Sequence, residues 1–227
     1  MFAHRYRDVD VSIRSDCVAY LGSWIVQYPS FWLEDVYLRY AGWLLSDKAV
    51  QVRLASLSAL HSLYQVDVFK EELTSFSARF QGRLLEMTTQ EPDLQTRVRA
   101  IHCCSAMVRM GLLSPEQIRH VAQGITSEEH KLQNAAAQVI HDLVRSRESS
   151  ETSETSEKPT ALDRMTALYQ TLASLSSSSE ALQSMAEKGY AVLRKVFPEL
   201  KVLQVLLLPP PFFLFFSFFF VGRLQKL

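Results

Sequence analysis

Cysteine, glycine and proline are all scarce in this chain, and each scarcity removes a class of protein. Three cysteines, Cys17 and the adjacent Cys103 and Cys104, make neither a disulfide framework nor a spaced set of metal ligands, which fits a reducing compartment. Seven glycines and eight prolines in 227 residues include no glycine-rich phosphate loop and no Gly-x-Ser-x-Gly elbow, and leave few breaks in long periodic segments. An excess of charge is missing too. Lys plus Arg and Asp plus Glu both number 24, so any attraction to nucleic acid or an anionic membrane has to be local. The N-terminus is charged from its fourth residue and lacks an apolar core segment, which argues against a secretory signal. His4, His61, His102, His120, His130 and His141 fall singly on different predicted helices without ligand spacing. Cys103 and Cys104, beside Ile101, read as small apolar packing rather than as nucleophiles. No metal, cofactor, small-molecule substrate or enzymatic activity is expected.

What is present is helical rhythm. Nearly every long segment repeats apolar residues at helical spacing, so the fold class is all-α. The stripe Ile13, Cys17, Leu21, Trp24 and Tyr28 predicts a first helix ended by Pro29. Ser30 is placed to cap a second, with Leu33, Tyr37, Tyr40 and Leu44 inward, and Asp47 to cap a third. That third helix carries Val52, Ala59, Leu60 and Leu63 on one side and Leu54, Leu57 and Tyr64 on another, an arc wide enough to need neighbours on both flanks. A fourth runs from Phe69 to Met87 through Leu73, Phe76, Phe80 and Leu84, with Gly82 its weak point. Pro92 and Asp93 open a fifth through Val98, Ile101, Ser105 and Val108, closed by a left-handed Gly111. Ser114-Pro115-Glu116-Gln117 reads as a capping box on a short sixth. Thr126 to Glu129 starts a seventh with Leu132, Ala136, Val139, Ile140 and Leu143 inward. Amphipathic helices paired at roughly 35- to 45-residue intervals predict a solenoid of helical hairpins, with a closed bundle as the alternative.

Residues 146–160, dominated by Ser, Thr and Glu, are expected to be a disordered linker, because so polar a run buries too little apolar area to offset its ordering entropy. Its hydroxyls beside glutamates suit an acid-directed kinase, as they would in any such linker. Residues 161–200 predict a further helical pair, through Leu162, Met165, Leu168, Leu172 and Leu175 and then Leu182, Met185, Leu193 and Val196. Residues 201–227 form an apolar, low-complexity C-terminal tail. Pro209, Pro210 and Pro211 divide it and leave the Phe-rich remainder short of the ~20 residues a membrane span needs. The low complexity makes an artefactual or frame-altered extension the first reading of the tail, with a partner-docking tail and a membrane anchor as the lesser alternatives, and a membrane is not an expected partner.

The surface chemistry is more specific. Asp35, Arg39 and Trp43 follow one another at i,i+4 on the second helix, away from its apolar line. Trp43 either packs on the next helical repeat or lines an aromatic pocket with cationic walls, the composition of binding hot spots. Arg5, Arg7, Arg79 and Arg83 either extend those walls or form a solvated, salt-bridged face.

Four strings, FAHRYRD, YLRYAGWLLSDK, VRLASLSALHSLY and FSARFQGR, are similar to the stromalin conservative domain of the cohesin-associated SA/STAG (stromal antigen) subunits. Those are nuclear HEAT-repeat proteins with an ARM-type fold. The resemblance is dense over residues 2–90 and weaker to about residue 145. It implies a stromalin conservative domain over residues 1–90, truncated at its start, and continuing HEAT-like helices over residues 91–145, hence a HEAT-like helical-hairpin solenoid. It also implies a non-enzymatic cohesin scaffold or regulatory subunit that binds the kleisin and supports sister-chromatid cohesion and chromosome segregation in the nucleus, touching chromatin or DNA through the complex.

In that family the aromatic and charged surface of this domain accepts short segments carrying two aromatics one residue apart, from regulators such as shugoshin and chromatin insulator proteins. Tyr6, Arg7, Asp35, Arg39, Tyr40, Trp43, Arg79 and Phe80 stand at the matching positions. Arg39 replaces the lysine usual there, which keeps the charge and changes the donor geometry. The chain starts just before the HRYRD string and stops soon after the domain. It is accordingly expected to be a fragment, a truncated paralogue or the product of a defective gene model, with an uncapped terminal face. A generic HEAT-like adaptor unrelated to chromatin is the alternative.

Overall fold

The computed structural model describes residues 2–151 and 161–198. Within them eleven α-helices are joined by short connections: α1 (Phe2–Arg5), α2 (Val11–Gln27), α3 (Pro29–Trp32), α4 (Asp35–Leu44), α5 (Val50–Leu63), α6 (Lys70–Gln90), α7 (Leu94–Arg109), α8 (Pro115–Ala122), α9 (His130–Glu151), α10 (Ala161–Leu175) and α11 (Ser179–Val196). They form two layers. One is the succession α2, α5, α7, α9, α11, each packed on the next, and the other is α4, α6, α8, α10. Antiparallel pairs α4–α5, α6–α7, α8–α9 and α10–α11 bridge the layers. This is the expected hairpin solenoid rather than a closed bundle, and α5 lies between α2 and α7 as its wide apolar arc requires.

The helix-end chemistry follows the sequence closely. Asp93 accepts the Thr96 N–H at 2.8 Å, Gly111 takes φ 69°, and Ser114 with Gln117 completes a capping box. Other expectations are corrected. The buried line of α2 is Arg14, Val18, Leu21, Gly22 and Ile25, one position round from the predicted stripe, because α2 turns this side to α5 and leaves its aromatics outward. Ser30 caps nothing. Pro29 at a helix start opens the one-turn α3, which contains Ser30, and α4 begins after Glu34. Helix α9 continues to Glu151, so residues 146–151 are helical rather than linker; their Arg and Glu are good helix formers. The rest of the expected linker and the whole apolar tail lie outside the described residues. No helix among the described residues is long and apolar enough to cross a membrane.

A repeated arginine clasp sets the spacing of the first layer. Arg14, in the first turn of α2, donates through Nη1 to the Asp8 and Val9 carbonyls at 2.8 and 3.1 Å and through Nε and Nη2 to both carboxylate oxygens of Asp47 at 2.7 and 2.9 Å. Arg53, in the first turn of α5, repeats the pattern one repeat later. It holds the Asp47 and Lys48 carbonyls at 2.8 and 3.2 Å, and its Nε reaches Glu91 at 2.9 Å. Each guanidinium thus ties the loop before its own helix to the loop before the next. Burial alone would raise the Asp47 carboxyl, but the hydrogen bonds from Arg14 and Ala49 hold it below its ordinary value. Glu91 stands to Arg97 as Asp47 stands to Arg53. Farther on, Gln133 takes the arginine's place and donates to the Ser127 carbonyl at 2.7 Å.

Two histidines expected to stand alone come together. The rings of His61 on α5 and His102 on α7 are 6.3 Å apart. Gln65 accepts from Arg109 at 2.6 Å through Oε1, so its amide nitrogen, 3.0 Å from His61 Nε2, has to be the donor there. Arg109 continues to Asp142, which also accepts from Ser105 and Gln138, and this polar chain crosses α5, α7 and α9. Cys103 and Cys104 are fully buried. Burial pushes both thiols up, Cys104 to about 12, and Cys103 donates to the Leu57 carbonyl at 3.2 Å, as fits packing residues.

Candidate functional site

The site is built on α4 and is supplied from both sides. In Tyr40-Ala41-Gly42-Trp43 the helical turn puts Tyr40 and Trp43 on neighbouring positions, with Arg39 one turn before Trp43. Across from them the residue after α1, Tyr6, brings its ring to 4.7 Å from Tyr40 and 6.0 Å from Trp43, while the Tyr40 and Trp43 rings meet edge to face at 5.6 Å. Each such pair contributes about 0.5–1.5 kcal/mol beyond its buried area, enough to hold Tyr6 against α4 although α1 is a single turn. The Arg14 clasp fixes the carbonyls of Asp8 and Val9 just beyond it.

The cations lie on the rings. The Arg39 guanidinium carbon is 5.5 Å from the Tyr40 ring centre and 5.4 Å from that of Trp43, and the Arg7 carbon is 5.0 Å from Tyr6. Tyr6 and Tyr40 are buried, whereas Trp43 keeps 44% of its surface in solvent. The indole is therefore not enclosed between layers. Arg39 Nε is shut off from solvent and has no hydrogen-bond partner among the described residues, an uncompensated donor that costs about 1–3 kcal/mol until an acceptor arrives.

A second group lies where α6 crosses α4. Gly42 makes this crossing: a Cβ there would sit 2.4 Å from Phe80 Cζ, so only glycine lets the Phe80 ring lie on the α4 backbone. Phe80 packs on Phe76 with the rings tilted by 34° and their centres 4.8 Å apart, the Arg79 guanidinium carbon lies 5.5 Å from the Phe80 ring centre, and Arg79 is bridged to Asp35. Of the eight residues singled out by sequence, Tyr6, Arg7, Arg39, Tyr40 and Trp43 form one cluster. Asp35, Arg79 and Phe80 form an adjoining one along α4.

Asp35 is not bonded to Arg39, one turn on. It reaches across to Arg79, because Arg39 turns onto the rings. Arg5 and Arg83 do not wall the pocket either: Arg5 bridges to Asp8 at 2.6 Å, and Arg83 to Glu86 at 2.8 Å and to the Leu45 carbonyl at the end of α4. Gly42 was missed, although a glycine inside an aromatic helix face is a sequence sign of close approach by a neighbour.

The comparisons with known proteins agree with this architecture. Residues 7–81 match the family described as the stromalin conservative domain. The chain is 37% identical over 142 residues to Sister-chromatid cohesion protein 3 of Arabidopsis thaliana, covering 63% of this chain and 13% of that protein. It is 40% identical over 144 residues to Cohesin subunit psc3 of Schizosaccharomyces pombe, covering 63% of this chain and 15% of that protein. Among solved structures, Cohesin subunit Scc3 from Z. rouxii superposes with a TM-score of 0.74 over 88% of this chain and 25% of that one; at 23% identity this speaks to the fold. The chain thus spans about one seventh of the curated relatives' length.

Proposed function

We propose, from the match of residues 7–81 to the stromalin conservative domain and the similarity to cohesin subunits, that this chain is a non-enzymatic cohesin scaffold or regulatory element that works at chromatin in the nucleus. On this reading it contacts the kleisin and takes up aromatic-containing regulator segments at the α1–α4–α6 notch, in support of sister-chromatid cohesion and chromosome segregation. The observation that carries it is the half-exposed Trp43 beside Arg39, whose Nε lacks an acceptor. A ring laid against Trp43 gains apolar burial, while the segment's carbonyl or an acidic neighbour supplies the acceptor that Arg39 Nε lacks and can also engage the exposed Arg7. Asp35, Arg79 and Phe80 would contact the same segment as it runs on along α4.

The test is titration of the whole chain with a labelled kleisin-derived segment and with a peptide bearing two phenylalanines one residue apart between acidic flanks. Trp43→Ala and Arg39→Glu should each weaken peptide binding by roughly tenfold or more, the scale of an interface anchor, with helical content unchanged. Unchanged affinity in both variants removes the notch from the binding surface.

A further inference from the structure

We infer that Ser127 is a phosphorylation site, and that its phosphate pairs with Arg97 to close the α7–α9 junction with a third clasp. In the loops before α2, α5 and α7 an acidic residue precedes an arginine by six positions: Asp8 before Arg14, Asp47 before Arg53 and Glu91 before Arg97. The same offset back from Gln133 falls on Ser127. A hydroxyl therefore stands where the other loops carry a carboxylate.

The local geometry is the same. Asp8 Oδ1 accepts the Asp10 N–H at 3.0 Å and Asp47 Oδ1 accepts the Ala49 N–H at 2.8 Å, while Ser127 Oγ accepts the Glu129 N–H at 3.2 Å, again two residues on. The Asp8 and Asp47 carbonyls are held by Arg14 and Arg53, and the Ser127 carbonyl by Gln133. What the hydroxyl lacks is the charge and second oxygen that Asp47 presents to Arg14 and Glu91 to Arg53.

The cation for that charge is in place. Arg109 and Gln65 bond across α7 and α5 at a separation of 44 residues, which is also the separation of Arg53 and Arg97. Ser105 and Asp142 bond across α7 and α9 at a separation of 37, within one residue of that between Arg97 and Gln133. The register thus sets Arg97 toward the loop before α9 as Arg53 is set toward the loop before α7. Unlike Arg14 and Arg53, Arg97 has no ion pair among the described residues. Its Nε turns back to the Thr88 carbonyl at 3.5 Å, a long and weak hydrogen bond. Asp93, one turn earlier, spends its carboxylate on the Thr96 N–H and hydroxyl.

A phosphoserine supplies the missing anion, with three acceptor oxygens beside the N-terminus of α9, where the helix dipole also favours negative charge. Glu128 and Glu129 follow directly and are exposed, the context an acid-directed kinase reads, and Ser127 is half-buried in the connection before α9. The neighbouring Thr126 hydroxyl is already committed to the Gln123 carbonyl at 2.9 Å. In the transfer the Ser127 Oγ–phosphorus bond forms, the bond from the γ-phosphorus of ATP to the ADP oxygen breaks, and the hydroxyl proton passes to the kinase's base.

The whole chain is incubated with ATP and an acid-directed serine/threonine kinase, then digested with trypsin and read by mass spectrometry. In the peptide spanning residues 120–131 the hydroxyl residues are Thr126 and Ser127. It is expected to gain one phosphate, located on Ser127 by fragmentation and absent in Ser127→Ala. Separately, the chain with phosphoserine encoded at position 127 is unfolded in urea, with circular dichroism as the readout. Its folding equilibrium constant should rise about tenfold over the unmodified chain, and in an Arg97→Gln background by no more than about twofold. Arg97→Lys, which keeps the charge, should retain part of the gain, and Ser127→Asp should reproduce part of it with the same dependence on Arg97. A peptide 120–131 that stays unmodified, or carries its phosphate on Thr126, overturns the site. A gain that survives Arg97→Gln, or a loss of stability on phosphorylation, overturns the clasp.

Discussion

Gly22 is the position where a single methyl group is expected to do the most damage. It lies on the buried face of α2, where a Cβ would fall 2.6 Å from Ala59 Cβ and 3.0 Å from Ala59 Cα on α5. Ordinary contact begins near 3.4 Å, so the methyl arrives 0.8 Å too close (3.4 less 2.6), and the atoms it meets are a helix backbone and its first side-chain carbon. Neither rotates away. Helices α2 and α5 have to part along an interface that includes Val18, Leu21, Ile25 and Leu60, all with 0% exposure. Overpacking of this kind costs about 1–3 kcal/mol, while alanine in a helix gains back ~1 kcal/mol over glycine, so Gly22→Ala should lose up to about 2 kcal/mol net.

Gly82 supplies the control, since nothing lies within 4 Å of its Cβ position in the middle of α6. Gly82→Ala should therefore gain about 0.5–1 kcal/mol. Adding Ala59→Gly to Gly22→Ala returns the missing space, and the double-mutant cycle should show a favourable coupling of about 1–3 kcal/mol. Circular dichroism during urea unfolding and heating reads the wild type, Gly22→Ala, Ala59→Gly, their double variant and Gly82→Ala, with the melting temperature moving by about 2–4 °C per kcal/mol in a chain of this size. If Gly22→Ala stabilises as much as Gly82→Ala, the close α2–α5 contact is not as described.

Two further expectations concern charge. Glu91→Ala strands the Arg53 guanidinium, whose side chain is 10% exposed, and should destabilise the chain by about 3 kcal/mol; a loss under 1 kcal/mol in urea unfolding would mean that the clasp does not set the repeat spacing. For pH, burial foremost, with Arg99 next, lowers His61 to about 4 from 6.5, and burial also lowers His102. A histidine whose folded value is depressed binds its proton more readily in the unfolded chain, so the stability it confers is complete above pH 6.5 and is lost as pH falls toward about 4. With His61 only half-buried, roughly 1–2 kcal/mol is at stake, and His61→Gln should flatten the slope of unfolding free energy between those limits. An unaltered slope in that variant would assign the acid sensitivity to other groups.

How much was legible in sequence depended on how local the cause was. The Asp93 and Ser114 caps and the left-handed Gly111 were readable because each involves residues a few positions apart. The one-position error in the α2 stripe has a non-local cause. Trp24 and Tyr28 offer as much apolar surface as Val18 and Ile25, and only the arrival of α5 decides which side is covered. The arginine clasp was present in the sequence as one offset, Asp8 to Arg14, Asp47 to Arg53 and Glu91 to Arg97. A search for acid–base pairs at helical spacing passes over it, since the ion pairs run between repeats. At the candidate site, residue types and the strings around them pointed to Tyr6, Arg39, Tyr40 and Trp43, but the partner of Asp35 and the role of Gly42 depend on where α6 crosses.

By itself the sequence determined that this chain is a succession of short-looped amphipathic helices with rings and cations concentrated near its start, because helical periodicity and capping act over a few residues. Tertiary structure alone decided that the rings of Tyr6, Tyr40 and Trp43 share one notch while those of Tyr20, Trp24 and Trp32 form a separate run along α2 and α3. The physical reason is that side chains distant in sequence meet only after helices stack, and the stacking is set by buried apolar faces and the Arg14 and Arg53 clasps rather than by the surface residues.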